Sequence, residues 1–146
     1  RQVSQTYARR PTDQVAFADG YPFLLTSEES LEELNRRLPE PIPMNRFRPN
    51  IVIRGLGEPF AEDRFKRLRI GDVTFDVAKS CARCIVTTTD QEAGVRTGRD
   101  PLWTLAKFRT SFQGGGILFG QTLMHENLGM LHVGNEVEIL EEKNAE

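Results

Sequence analysis

Cys81 and Cys84 are the two cysteines of the chain, and only two residues separate them. A secreted disulfide framework scatters its cysteines to staple distant loops. The single tetrapeptide Cys81-Ala82-Arg83-Cys84 reads instead as local cysteine chemistry in a reducing, cytoplasmic compartment. A closed zinc site needs four ligands, and the spare candidates, His125 and His132, stand far along the chain. A thioredoxin-like pair needs its first cysteine at a helix N-terminus, where the thiol pKa falls. The run Ile85-Val86-Thr87-Thr88 is β-branched and predicts a strand after Cys84. Two chemistries remain: one thiolate bound to a soft metal, or a thiol that carries sulfur. The plain alternative is two buried cysteines packed as small hydrophobes.

Arg46-Phe47-Arg48-Pro49-Asn50 is a second candidate. In an extended segment its two guanidinium groups would point the same way and could fork onto a phosphate or carboxylate. Asn50 adds an amide that donates and accepts towards a heterocycle edge. The competing reading is a solvated basic loop paired with Glu58, Glu62 and Asp63. Thr26-Ser27, before the first predicted helix, offers two hydroxyls and free N–H groups as an anion seat. Capping alone explains the same residues, with Glu28 and Glu29 competing against any bound anion. His125 and His132 are predicted on strands, as packed or surface histidines.

These residues must be positioned by one domain's worth of structure, since 146 residues bury a sizeable core without staples. Hydrophobic content of 38% and charged content of 27% are those of a globular chain. The net charge of −2 gives no overall attraction for nucleic acid or membrane surface, and neither is expected as a partner. No apolar run approaches a membrane span. The chain opens at Arg1 rather than Met, so the absence of a signal pattern carries no weight. Arginines outnumber lysines fifteen to four, a bias that suits anion gripping but equally reflects base composition.

Residues 1–12 are polar and predict a flexible arm, with one domain over 13–140 and a disordered tail over 141–146. Val15-Ala16-Phe17 reads as a short strand entering a turn, and Phe23-Leu24-Leu25 is a second short apolar run. Thr26 to Glu29 has the capping-box arrangement, and Leu31, Leu34 and Leu38 follow at helical spacing up to Pro39, predicting a helix over about 27–37. Ile51-Val52-Ile53 reads as a buried strand. Phe65 to Ile70 and Val73 to Val77 alternate about Gly71-Asp72 as a hairpin. Asp100-Pro101 opens a second helix, over about 101–109, with Leu102, Leu105, Ala106 and Phe108 as its apolar face. Gly114-Gly115-Gly116 is a joint. Ile117 to Phe119, Gln121 to His125, Met130 to Val133 and Glu136 to Leu140 are strand candidates. The class is mainly β (α+β), an irregular β-barrel with two main helices.

Phe17-Ala18-Asp19-Gly20-Tyr21-Pro22, Leu25-Thr26-Ser27-Glu28, Phe47-Arg48-Pro49-Asn50-Ile51-Val52, Ile70-Gly71-Asp72-Val73, Cys81-Ala82-Arg83-Cys84-Ile85-Val86-Thr87-Thr88, Phe119-Gly120-Gln121 and Val133-Gly134-Asn135-Glu136-Val137 occur in the order seen in MOSC domains. Over residues 13–140 the chain resembles the subgroup of the mitochondrial amidoxime-reducing component and its bacterial relatives. That resemblance implies a β-barrel domain holding a molybdenum-pterin cofactor (Mo-molybdopterin), with Cys84 as catalytic residue and metal ligand. It places Thr26, Ser27, Arg48, Asn50 and Ala82 at the cofactor; some relatives carry Ser where this chain has Ala82. It implies reduction of N-hydroxylated small molecules, with electrons from a separate flavin, haem or iron–sulfur protein. An N-terminal portion absent from this chain would supply further basic residues, so the domain alone is expected to be inactive. A sulfur-carrier role, with a cysteine persulfide serving metal–sulfur or molybdenum-cofactor assembly, and an association with pyridoxal phosphate belong to the wider family.

Overall fold

The computed structural model describes residues 23–111, 114–127 and 129–143. The arm at 1–12, the strand predicted at 15–17 and the tail at 144–146 lie outside the described residues. Eight strands follow in chain order: β1 (Phe23–Ser27), β2 (Ile51–Ile53), β3 (Phe65–Ile70), β4 (Val73–Ala82), β5 (Thr89–Asp90), β6 (Val95–Arg96), β7 (Leu118–His125) and β8 (Val137–Glu142). Two helices, α1 (Glu28–Arg37) and α2 (Leu102–Ala106), join them, with short 3-10 turns at Met44–Phe47, Ala61–Arg64 and Ile85–Thr88.

Six strands form one sheet in the order β2-β1-β7-β4-β3-β8, and β5-β6 is a separate hairpin. Only β1 and β2 run parallel; the other pairings of the sheet are antiparallel. The sheet curls into a half-barrel with the two helices against it. Its edge strands β2 and β8 face one groove of about 660 Å³, lined by Val52 and Ile53 on one side and Val137 and Ile139 on the other. Neither cysteine lines that groove.

Alternation builds the inside of the curl. Phe23 and Leu25 of β1, Leu68 and Ile70 of β3, Val73 and Phe75 of β4 and Leu123 of β7 are buried in one cluster. A second cluster joins Leu34 and Leu38 of α1, Leu105 of α2, Phe47 and Phe119. The Phe47 and Phe119 rings stack there at 4.0 Å between centroids. Helical spacing in the first predicted helix accounts for this packing, with Leu31 half-buried at its margin.

Several expectations need correction. Helix α1 matches the predicted span, but its cap is Ser27, not a Thr26–Glu29 box: Ser27 Oγ accepts from the Ser30 N–H at 3.2 Å. Glu29 turns away and accepts from the Gly55 and Leu56 N–H groups. Helix α2 is shorter than 101–109, and Ala106 is exposed rather than on the apolar face. Its N-cap is Pro101 rather than Asp100, although Asp100 Oδ1 accepts from both the N–H and the hydroxyl of Thr104. Strand β4 runs five residues past Val77 to Ala82, and β7 passes unbroken through Gly120. Residues 130–133 form no strand, so His132 sits exposed on a turn, where its N–H donates to Asn135 Oδ1. Strand β8 includes Glu141 and Glu142 because it pairs with β3.

The largest correction concerns Ile85–Thr88, which is a 3-10 turn and not a strand. The two threonines decide it. Thr87 Oγ donates to Cys84 O at 2.9 Å and Thr88 Oγ to Ile85 O at 2.6 Å, each three residues back. Local hydroxyl-to-carbonyl bonds offer the backbone an alternative to a ladder, and here they override β-branched propensity.

Candidate functional site

Strand β4 carries the cysteine segment to one end of the half-barrel. Its register against β7 slips twice, between Val77 and Lys79 and again between Ser80 and Ala82. Such bulges bend a strand and re-aim the residues beyond them. Gln121, fully buried, spans the distortion with Nε2 bonds to Ser80 Oγ and Asp63 Oδ1. Beyond the second slip Cys81 is half-buried, while Ala82 and Cys84 are exposed. Gly116 lies over Ala82: a Cβ on that glycine would stand 3.4 Å from Ala82 Cβ.

Arg83 is the keystone of this end. One guanidinium nitrogen donates to Cys81 Sγ at 3.1 Å and another to Phe47 O at 2.6 Å. Its backbone N–H donates to Ile117 O at 2.7 Å. Three separate segments are thereby tied together beside Cys84. Arg83 Nε is buried with no partner among the described residues. Arg46, also buried, reaches across to Thr87 O at 3.3 Å and fastens the Met44–Phe47 turn to the turn after Cys84.

Arg46 and Arg48 therefore do not act as a parallel fork. The segment is a 3-10 turn rather than an extended strand, and it ends with Arg48 in the left-handed region at φ 54°. That geometry buries Arg46 and leaves Arg48 exposed, one residue from the carbonyl that Arg83 grips. A non-glycine residue held at positive φ marks local strain of about 1–3 kcal/mol, a feature that clusters at binding sites. Glu58, Glu62 and Asp63 pair elsewhere, so the solvated-loop reading of this segment fails too.

Asn50 uses its side-chain oxygen within the sheet, accepting from the Leu24 N–H at 2.8 Å. Thr26 and Ser27 are fully buried. Thr26 Oγ contacts Met44 Sδ at 3.3 Å, which places it beneath the Met44–Phe47 turn. The anion seat at the start of α1 is taken by the chain's own carboxylate. Ser27 and Ser30 hydroxyls donate to Glu62, which is 1% exposed. Burial pushes the Glu62 carboxyl above its usual range, and the serine hydrogen bonds partly oppose that. Sequence reasoning missed Glu62, Arg46 and Arg83 as positioning groups. The only signal for Arg83 was its place between the cysteines.

Among the described residues no three His, Cys, Asp or Glu side chains come close enough to hold a metal ion. A metal that arrives with its own ligands, as in an organic sulfur cofactor, would need only a single protein thiolate such as Cys84. The surroundings fit such a group. A thiol stands exposed, Arg83 carries a buried unpartnered Nε, and Arg48 adds an exposed cation for an anionic cofactor.

The sequence matches the family model described as MOSC domain over residues 12–138. It is 43% identical over 137 residues to human mitochondrial amidoxime-reducing component 1, covering 90% of this chain and 40% of that protein. It is 41% identical over 137 residues to Arabidopsis thaliana molybdenum cofactor sulfurase, covering 86% of this chain and 16% of that protein. The chain thus spans less than half the length of these curated relatives. The crystal structure of YiiM from Geobacillus stearothermophilus shares the fold with a TM-score of 0.58 at 15% identity, covering 83% of this chain and 55% of that one. With its match running through the cysteine segment and both arginine-bearing turns, the chain belongs to the MOSC domain family.

Proposed function

We propose that this chain is the molybdenum-cofactor-binding domain of an oxidoreductase acting on N-hydroxylated small molecules, with Cys84 as the protein's ligand to the metal. The observation that carries the reading is an exposed thiol at the end of the segment that Arg83 ties to the Met44–Phe47 turn, where no three His, Cys, Asp or Glu side chains among the described residues could hold a metal by themselves. A thiolate is a suitable ligand for a soft, sulfur-bound metal. The amidoxime-reducing name of the relatives supports the substrate class.

In this reading the cofactor supplies the two-electron redox chemistry. Removing one oxygen atom from the substrate as water takes two electrons and two protons, the electrons coming from a separate protein. The chain's own residues seat and orient. Thr87 and Thr88 hold the turn that presents Cys84. Arg83 and Arg48 offset negative charge, and charge-assisted bonds of this kind stabilise by roughly 1.5–3 kcal/mol each. Thr26 and Asn50 act through the Met44–Phe47 turn and the β1–β2 pairing that set Arg48 in place.

A second reading, sulfur transfer, has its own support: the sulfurase similarity and a second cysteine in the same segment, with the Arg83 guanidinium donating to Cys81 Sγ at 3.1 Å. Molybdenum and cyanide-labile sulfur assays on the full-length protein separate the two. Cys84→Ala is expected to abolish molybdenum retention and reductase activity while Cys81→Ala retains most of both. Equal losses from the two variants would refute a single-thiolate ligand, and labile sulfur without molybdenum would establish the carrier.

A further inference from the structure

Gln121 has no exposed surface between β1 and β4, yet only half of its amide is used. Its Nε2 donates to Asp63 Oδ1 at 2.8 Å and to Ser80 Oγ at 2.9 Å. A carboxylate only accepts, so the nitrogen is the end that faces Asp63. Arg109 donates Nη1 to the other oxygen, Asp63 Oδ2, at 2.7 Å. Among the described residues, Gln121 Oε1 and Arg109 Nη2 are both buried without a partner. Unsatisfied buried polar atoms cost stability, and a leucine at 121 would fill the strand without that cost. What the amide contributes therefore lies in the two bonds it makes.

Those bonds stand at a change of register. Up to Val77↔Leu123, β4 turns its odd residues inward: Val73 and Phe75 are buried, and Val77 packs against their cluster. The next pair is Lys79↔Thr122, which makes Ala78 an extra residue on β4. The faces then exchange, with Lys79 exposed and Ser80 turned to Gln121. After Ser80↔Gln121 comes Ala82↔Leu118, and the extra residue now lies on β7, where Gly120 takes φ +91°. The two slips cancel: five steps along either strand separate Val77↔Leu123 from Ala82↔Leu118. A regular ladder is thus open to the same strands, with Gln121 opposite Lys79 and the faces of the β4 residues beyond Ala78 exchanged. The Asp63–Arg109 pair opposes it by fastening both sides of the second slip. Asp63 holds Gln121 on one side, and Arg109 Nε donates to Leu118 O at 3.1 Å on the other. Ile117, the next residue, accepts from the N–H of Arg83 beside Cys84.

We propose that Gln121 is a positioning residue for the thiol chemistry: with Asp63 and Ser80 it holds β4 in the slipped register that exposes Cys84 and keeps Cys81 half-buried against Arg83. It rests on the reading of Cys84 as the metal ligand, since that reading requires one particular thiol to be presented. A buried polar network whose bonds fit a single arrangement specifies that arrangement, and here it chooses between two ladders that backbone pairing alone allows.

Trypsin cuts after Lys79, Arg83 and Arg96, so the two thiols fall in separate peptides, 80–83 and 84–96. Brief iodoacetamide labelling of the folded, metal-free full-length protein, read by mass spectrometry, gives the ratio of Cys84 to Cys81 labelling. The parent is expected to label Cys84 several times faster, since it is exposed where Cys81 is half-buried. Gln121→Glu sets a second carboxylate against Asp63 and is expected to lower the ratio about threefold or more. Adding Asp63→Asn lets the new amide donate to the new carboxylate and should return the ratio to within about twofold of the parent. Ser80→Ala deletes one partner without adding charge, should lower the ratio in the same direction, and serves if the charged variants do not fold. Phe75→Ala lowers stability away from the slipped pairs and should leave the ratio of the folded protein unchanged. An unchanged ratio in Gln121→Glu or Ser80→Ala, no return on adding Asp63→Asn, or an equal fall in Phe75→Ala would each overturn the proposal. Molybdenum content of the cofactor-loaded parent keeps the two readings apart. Metal bound with an unchanged ratio in the variants sinks the positioning role alone, and an altered ratio without metal in the parent sinks the ligand role alone.

Discussion

A carboxylate and a guanidinium, rather than the cysteines, hold the residue-scale geometry of this domain. Arg83 spans Cys81 and Phe47 with two separate nitrogens, a reach that a lysine ammonium at one point would not reproduce. Glu62 fills the place at the start of α1 that an exogenous anion would otherwise take. Its raised pKa makes stability depend on pH in a defined direction. The folded chain holds the Glu62 proton to higher pH than the unfolded chain, whose ordinary value is 4.5. Folding therefore takes up a proton above that value, and the group's contribution is whole below it and lost as pH rises through the raised folded pKa. Glu62→Gln removes this titration. Urea unfolding of the variant is expected to show a flatter pH dependence upward from about pH 4.5 than the parent. Identical slopes would mean that burial does not raise the Glu62 carboxyl in the folded chain.

At the scale of elements, β7 is the strand that fails if one residue changes. It lies between β1 and β4, and Gly120 stands at its middle with φ +91°. A Cβ there would come 2.9 Å from Leu24 Cδ1, 3.0 Å from Leu25 O and 3.1 Å from Thr26 Cγ2. Leucine can rotate away, but the carbonyl belongs to the β1–β7 ladder and cannot. Gly120→Ala is therefore expected to destabilise the fold by about 2–4 kcal/mol, from the positive φ and the backbone clash together. A thermal melt within a degree or two of the parent would show that β1 yields more easily than its pairing implies. The same strand explains the break read at Gly120 in the sequence. A glycine inside a strand pattern signals either a turn or a close approach, and the neighbouring strand decides which.

The whole molecule has two hydrophobic clusters with different duties. One fills the curl of the half-barrel, and the other lies between the helices, Phe47 and Phe119. Phe75→Ala in the first and Phe119→Ala in the second should each destabilise by about 3–5 kcal/mol, since both rings are fully buried. Their local consequences should differ. Phe119 stacks on Phe47, whose carbonyl holds Arg83, so its loss should speed hydrogen exchange in residues 44–48 and 83–88 beyond the global effect. Phe75→Ala should leave those segments exchanging no faster than global unfolding allows. Equal exchange in both variants would disprove the mechanical link between the helical cluster and the Cys84 end.

Local rules were enough for the elements whose partners are near in sequence or whose pattern has a single period. The span of α1, the strand at 51–53 and the β3–β4 hairpin follow from spacing, alternation and a Gly-Asp turn. The cysteine segment and the Arg48 turn were equally visible as residues that need a purpose. Their arrangement was not. Ile85–Thr88 reads as a strand until Thr87, Thr88 and the distant Arg46 satisfy its carbonyls in a tight turn. Thr26 and Ser27 read as an exposed seat until Glu62, 35 residues beyond Ser27, fills it. Glu141 and Glu142 read as a tail until β3 gives them a ladder. In the last two cases the deciding group is remote in the chain, and in the first a remote guanidinium joins the local hydroxyls: a buried polar atom takes whichever partner the packed structure brings to it.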